Sequence, residues 1–298
     1  TSYLKGERMA SIQFGWTAPV IGVPESGGQP IVIQEHENGV LDAVNEHFDS
    51  VWCADHFYGF DRIDDPFLEC WTTLTWLAAR YPNLLVGGMV MCNNYRHPAV
   101  MANMGKTLQA FSGGRMVLGY GAGWREDEYK RFGFAFDPPA ARIKQLEEGL
   151  QIIKSMWTES RTNFNGTYFQ VSDLMCEPKP NPVPPILIGG GGEQLMLRLV
   201  ARYADWWNIG TRKPDAYARK LDVLRKHCED VGRDFNSIVK TVQIELPPPT
   251  DAATSKQMVA QLREFADLGV THFILDHGVV TDPQVVRRIG EDVLSQLR

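Results

Sequence analysis

Short apolar runs rich in β-branched and aromatic residues alternate along this chain with stretches whose apolar positions recur every three or four residues. The runs fall at 12–17, 51–57, 84–92, 116–121, 185–189, 206–210, 239–246 and 272–275. Between them lie helical patterns such as Tyr217, Leu221, Leu224, Cys228, Val231 and Ile143, Leu146, Leu150, Ile153, Trp157. That spacing gathers apolar side chains on one helix face. Strands alternating with amphipathic helices predict a parallel sheet built from βα units. Eight units in 298 residues fit a closed barrel, which takes about 250 residues. An open doubly wound sheet usually carries a Gly-x-Gly-x-x-Gly turn after its first strand, and none follows 12–17. The predicted fold is therefore α/β, a (β/α)8 TIM barrel forming a single domain over residues 1–298.

Two stretches break the rhythm. Asn165-Gly166 between Phe164 and Tyr168-Phe169 has hairpin chemistry and leads into the proline-rich segment 177–185, so an insertion is expected before the fifth strand. Pro247-Pro248-Pro249 cannot continue a ladder and reads as a stiff rim segment.

Composition narrows the class. The chain is 44% hydrophobic and 22% charged, enough apolar content for a large core. It has no run of about 18 apolar residues, and residues 1–9 are polar, so neither a membrane span nor a leader is expected, and the protein reads as cytoplasmic. Five scattered cysteines without a Cys-x-x-Cys pair argue against a disulfide framework and a thiolate zinc site. A net charge of −6 offers no broad basic field, so nucleic acid is not an expected partner.

In a barrel, functional groups collect where strands end. The second run ends in Ala54-Asp55-His56-Phe57, placing an acid beside an imidazole. His56 could donate a proton or hydrogen bond near neutral pH, with the adjacent carboxylate orienting it. A structural pair capping the next loop is the competing reading. Gly87-Gly88 before Met89-Val90 marks a bulge or packing under a large neighbour. The fourth run ends in Gly119-Tyr120-Gly121-Ala122-Gly123-Trp124, whose alternate glycines would clear a floor for something flat while Trp124 supplies a wall. A tight turn is the plainer alternative. The fifth run ends in Gly189-Gly190-Gly191-Gly192-Glu193 with a helical pattern immediately after. Exposed amides at a helix start could take a phosphate, against the alternative of a flexible loop. No Gly-Lys-Ser/Thr follows, so this is not a nucleotide-triphosphate loop. Together these features describe a pocket for a planar phosphorylated cofactor, a flavin or a deazaflavin.

The same residues carry a family resemblance. Asp55-His56-Phe57, Tyr95-Arg96-His97-Pro98, Ser112-Gly113-Gly114-Arg115, Gly121-Ala122-Gly123-Trp124, Phe132-Gly133 and residues 185–192 occur in the order seen in the luciferase-like monooxygenase superfamily. Within it the chain resembles the F420-dependent oxidoreductases. The resemblance implies a luciferase-like barrel in which Asp55 and His56 lie beside the deazaflavin ring, with His56 stabilising charge or passing a proton. It further implies a non-proline cis peptide at Met89-Val90 behind the ring, Gly121, Ala122 and Gly123 lining it, and Gly190, Gly191, Gly192 and Glu193 receiving the phosphate. Sugar-phosphate dehydrogenases of the group carry a glutamate where this chain has Trp124. An indole cannot act as a general acid, which points to an aromatic or apolar substrate. A homodimer packed through outer helices is also implied.

The favoured expectation is an oxidoreductase moving hydride between F420 and a small organic substrate. The near alternative is an FMN-dependent monooxygenase supplied with reduced flavin by a separate reductase. The acidic tail of F420 would favour rim cations, for which Arg96, Lys179, Arg212 and Lys213 are candidates. A metal hydrolase using Asp276-His277 as a second acid-histidine pair is less favoured, because the first strand lacks a His-x-His pair. No metal site is therefore assigned. A non-catalytic cofactor-binding protein is the alternative outside enzymes.

Overall fold

The computed structural model describes residues 11–22, 27–60 and 62–298; the polar amino-terminal stretch considered above lies outside them. The elements run β1 (Gln13–Thr17), α1 (Ile31–Glu37), α2 (Val40–His47), β2 (Ser50–Cys53), α3 (Cys70–Arg80), β3 (Leu85–Gly88), β4 (Met91–Cys92), α4 (Pro98–Phe111) and β5 (Met116–Gly121). They continue with α5 (Glu126–Arg131), α6 (Pro139–Thr158), β6 (Thr162–Asn165), β7 (Gln170–Leu174), β8 (Ile186–Gly189), α7 (Met196–Tyr203) and β9 (Trp206–Gly210). Last come α8 (Pro214–Asp230), β10 (Val239–Glu245), α9 (Ala252–Asp267), β11 (His272–Asp276) and α10 (Pro283–Asp292).

The parallel strands follow the order β3-β2-β1-β11-β10-β9-β8-β5, and β3 pairs with β5 to close the barrel. This is the expected (β/α)8 architecture. The antiparallel hairpin β6–β7 is inserted before the fifth barrel strand. The third run differs from its continuous reading: β3 and β4 are separated by Met89-Val90, whose peptide bond is cis. The second run is also shorter than expected, because β2 stops at Cys53 and leaves Asp55 and His56 in the loop beyond it.

Two apolar layers explain the alternation. Between barrel and helices, residues such as Phe14, Val51, Leu118, Ile188 and Phe273 meet helix faces including Leu146, Leu150, Tyr217 and Leu224. Inside the barrel, Trp52, Val117, Leu187, Trp206 and Ile274 fill the space, a packed core and not a channel. The Trp52 indole needs room there: a Cβ on Gly15 would come 2.5 Å from its Nε1, and one on Gly87 would strike its ring. Its N–H donates to Ser50 Oγ at 2.7 Å, which lies 2.8 Å from His272 Nε2. Outside, Arg115 donates to the carbonyls of Ala78, Tyr81 and Leu84, closing the last turn of α3. The Ser-Gly-Gly-Arg block is thus a structural device. All five cysteines are buried and free. Among the described residues no helix is long and apolar enough to cross a membrane.

Glycines also make space for the interruption in the third strand. A Cβ on Gly119 would collide with the Gly88 carbonyl oxygen, and one on Gly121 or Gly189 would come 2.6 or 2.9 Å from a methyl of Val90. Gly119→Ala is therefore expected to lower stability by about 1–3 kcal/mol, read as a reduced urea midpoint with an unchanged slope; an unaltered midpoint would disprove the packing argument.

Two buried imidazoles make a second prediction. Burial lowers His272 from 6.5 to about 3 and His277 to about 4. The unfolded chain then takes up protons that the folded chain refuses, so unfolding free energy falls as pH drops from 6.5 towards 4. Denaturant titrations across that window check it, and His272→Gln should flatten the dependence.

Candidate active site

A cavity of about 350 Å³ opens where the strands end, lined from β2 to β10 by residues that include Asp55, His56, Met89, Val90, Cys92, Tyr95, Gly121, Ala122, Gly123 and Trp124. Gly189, Gly190, Met196, Asn208, Ile209, Gly210 and Gln243 complete it. The volume falls in the range of small-molecule sites, about 300–1,000 Å³. Of the residues expected to bind cofactor or substrate or to act in catalysis, Asp55, His56, Met89, Val90, Gly121, Ala122, Gly123, Trp124 and Gly190 share this lining, whereas Gly191, Gly192, Glu193, the rim cations and Asp276-His277 stand outside it.

His56 is oriented by a residue that sequence reasoning missed. Its Nδ1 lies 2.7 Å from Oε2 of Glu128 on α5, not against neighbouring Asp55. The Glu128 side chain is wholly buried. Burial pushes its pKa up, but hydrogen bonds from His56, the Phe57 amide and Tyr95 outweigh that and hold it below the usual glutamate value. The group is a carboxylate, so His56 donates through Nδ1–H, and Nε2 is left for the cavity. Tyr95 Oη donates to the same Oε2 at 2.7 Å. The signal for Glu128 was faint in sequence, a glutamate on the short helix after the glycine turn.

Asp55 has a different task. It accepts from Arg96 at 2.8 and 3.0 Å and from the Cys92 amide at 2.8 Å, fastening β4 to the loop after β2. Arg96 also donates to Glu69. The expectation that Asp55 orients His56 is corrected, and Arg96 is no free rim cation. Lys179 is occupied by the Met156 carbonyl and Glu177, and Arg212 pairs with Glu245 at 2.8 Å.

The glycine floor also has another cause. Gly121 leaves room for Val90, as described above. Gly123 adopts φ +71°, and a Cβ there would strike Tyr129 Oη. Burial pushes the Cys92 thiol up to about 11, so at neutral pH it is no thiolate.

At the fifth strand end, α7 starts at Met196 and not directly after the glycines. Gly190 N–H already donates to the Asn208 carbonyl at 2.9 Å, whereas Gly191 and Gly192 donate to no acceptor among the described residues. Hydrogen bonds from Lys220 and Arg219 hold the Glu193 carboxylate below its usual pKa, so its side chain offers an anion no donor.

Two amides escaped the sequence reading because neither belongs to a motif: Asn208 is the one polar side chain of its strand, and Gln243 is one of several polar residues in β10. Asn208, buried on β9, packs against Met89 and Thr241. Gln243 reaches the cavity from β10 with no side-chain partner among the described residues. The second acid-histidine pair does not join them: His277 is buried, its Nδ1 2.7 Å from the Leu246 carbonyl and its ring 5.2 Å from Trp16. Among the described residues no cluster of three or more His, Cys, Asp or Glu side chains could hold a metal.

A (β/α)8 barrel with an imidazole, an apolar bulge and side-chain amides lining one cavity at the strand ends is a site for a small molecule. The chain belongs to the luciferase-like monooxygenase family, whose pattern it matches over residues 12–266. It is 29% identical over 85% of its length to an F420-dependent glucose-6-phosphate dehydrogenase of Kineococcus radiotolerans, covering 74% of that protein. It is 28% identical over 73% of its length to the pyrimidine monooxygenase RutA of Escherichia coli, covering 61% of it. Among solved structures, an F420-dependent secondary alcohol dehydrogenase in complex with an F420-acetone adduct has the same fold, with TM-score 0.79, 18% identity and coverage of 97% of this chain and 98% of that one. The chain is thus an enzyme of the luciferase-like oxidoreductase type, and the non-catalytic alternative falls away.

Glu128→Gln tests the orientation of His56. It should cost about 1.5–3 kcal/mol of stability at pH 7 and give His56 a mixture of ring tautomers by nitrogen-15 NMR. The stability difference should shrink as pH falls below 4.5, where the native carboxylate begins to lose its advantage. A single unchanged tautomer in the variant would disprove the assignment.

Proposed function

We propose that this enzyme binds F420 and transfers hydride between it and a small organic substrate, with His56 managing the proton. One observation carries the reading: Glu128 fixes His56 through Nδ1 and leaves Nε2 for a cavity that the Met89-Val90 bulge also lines. Bound F420 would supply a deazaflavin ring able to accept or give hydride. The residues present fit such a ring. The apolar bulge and Ala122 offer a flat wall, while the amides of Asn208 and Gln243 can hydrogen-bond a polar ring edge. The unused amides of Gly191 and Gly192 suit a phosphate. His56 Nε2 would take a proton from a substrate hydroxyl, or give one to a carbonyl oxygen, and the ionised Glu128 would stabilise the imidazolium meanwhile. The burial that keeps Cys92 a thiol excludes it as a competing nucleophile.

A second reading is an FMN-dependent monooxygenase with a separate reductase, and the committed rim cations favour it. Of the four candidates, Arg96, Lys179 and Arg212 are engaged by the protein's own acceptors, which weakens the case for an acidic cofactor tail, while the Lys213 ammonium has no side-chain partner among the described residues. In either reading the chain works in the cytoplasm as a single-domain protomer of a homodimer.

Equilibrium binding of F420 and of FMN to purified protein, followed by cofactor fluorescence, separates the two. Micromolar F420 binding with much weaker FMN binding is expected, and the reverse order would move the enzyme to the flavin monooxygenases. With a substrate in hand, His56→Ala should slow turnover about 10²–10⁴-fold; an unchanged rate would remove His56 from the chemistry.

A further inference from the structure

The surroundings of His56 also define what can lie against it. Phe60 beside His56 and Trp124 in the cavity lining are 52% and 65% exposed, leaving apolar aromatic surface in water that a ligand could cover. Their ring centroids lie 4.9 and 5.7 Å from the His56 ring, at interplanar angles of 73° and 76°. Phe67 approaches the same ring at 6.3 Å and 88°. The imidazole is therefore boxed by three edge-on aromatic rings. With Nδ1 committed to Glu128, Nε2 is the one polar atom this imidazole can offer a ligand.

The charges on this side of the cavity are acidic and already engaged: Asp55 is held by Arg96 and Glu128 by His56. None of the cavity's lining residues is Lys or Arg. Arg125, next to Trp124, lies 4.3 Å over the Tyr58 ring, donates to the carbonyls of Tyr58 and Gly59, and pairs with Asp127 at 3.3 Å. Arg96 holds Asp55, which is only 3% exposed. Turning Arg96 towards a ligand would leave a buried carboxylate unpaired, a severe penalty. A phosphate or carboxylate placed over His56 would lose its hydration without gaining an ionic partner.

We infer that the substrate is a neutral molecule with a flat aromatic or apolar body, held between Phe60 and Trp124, and one hydroxyl or carbonyl oxygen directed at His56 Nε2. This rests on the reading that the cavity is the reaction site, and it separates this enzyme from relatives named for glucose 6-phosphate. A planar body would meet ring faces and edges in geometries that aromatic pairs favour, while a single oxygen would satisfy the one polar atom presented there.

The test uses the full chain, both free of cofactor and loaded with whichever of F420 or FMN it binds. Acetophenone, 1-phenylethanol and glucose 6-phosphate serve as probes, with binding read by calorimetry and by quenching of tryptophan fluorescence. Both aryl probes should bind saturably, and glucose 6-phosphate should bind about tenfold more weakly or not at all. Phe60→Ala and Trp124→Ala should each weaken aryl binding about tenfold, whereas Phe60→Leu, which keeps apolar bulk, should lose less. Cofactor affinity of Phe60→Ala, measured separately, reports an intact fold. Glucose 6-phosphate binding as tightly as the aryl probes would overturn the inference, as would aryl binding untouched by both alanine variants. Loss of cofactor binding with the aryl results intact would sink the F420 and FMN readings and leave the aromatic clamp standing.

Discussion

One buried carboxylate organises the reactive end of this barrel. Glu128 comes from the short helix after the fourth barrel strand, yet its three donors come from elsewhere: His56 and the Phe57 amide follow the second strand, and Tyr95 follows the third. A charge withdrawn from water is tolerable only when its lone pairs are met by good donors. The need to satisfy this single group therefore fixes the relative positions of three loops that the barrel alone would leave independent. The functional consequence is a histidine with one nitrogen committed and the other presented to the cavity. That is how a rigid scaffold gives a loop residue a defined chemical direction.

A second carboxylate works in parallel on the neighbouring wall. Asp55 is adjacent to His56 in sequence, but its side chain serves the backbone of Cys92 and the guanidinium of Arg96. It thereby holds the resumed strand β4 in register after the Met89-Val90 interruption. Gly119, Gly121 and Gly189 lie opposite that interruption, and each makes room for Gly88 or Val90. The glycines allow the bulge to enter the barrel; the bulge then gives the cavity its apolar wall. Glycine here serves the protein's own packing first and any ligand only through it.

This order of causes explains what the sequence disclosed. Strand and helix periodicity revealed the barrel because it is repeated eight times and needs no long-range information. The hairpin insertion was visible through its Asn165-Gly166 turn. The cavity's membership was largely legible too, since strand ends in a barrel converge on one face. What stayed hidden were the pairings. Nothing local tells whether His56 turns towards Asp55 beside it or Glu128 seventy-two residues away, and a candidate cation such as Arg96 looks free until its buried acceptors are seen. Asn208 and Gln243 were invisible for a related reason, as a single strand amide carries no local motif to mark it.

The committed cations bear on how the two halves of the cavity divide their work. On the His56 side, Arg96 and Arg125 are held by internal acceptors, so that wall is aromatic and its charges are already paired. Across the barrel, Gly191 and Gly192 present amides that have no acceptor among the described residues, close to the ion pairs of Glu193 with Lys220 and Arg219. An anion would find donors there without disturbing any buried pair, because those charges are at the surface. A ligand carrying a phosphate at one end and an uncharged ring at the other would accordingly be read in only one orientation, phosphate towards the glycine loop and ring towards the bulge. A charged end of such a ligand would find no Lys or Arg lining the cavity beside His56.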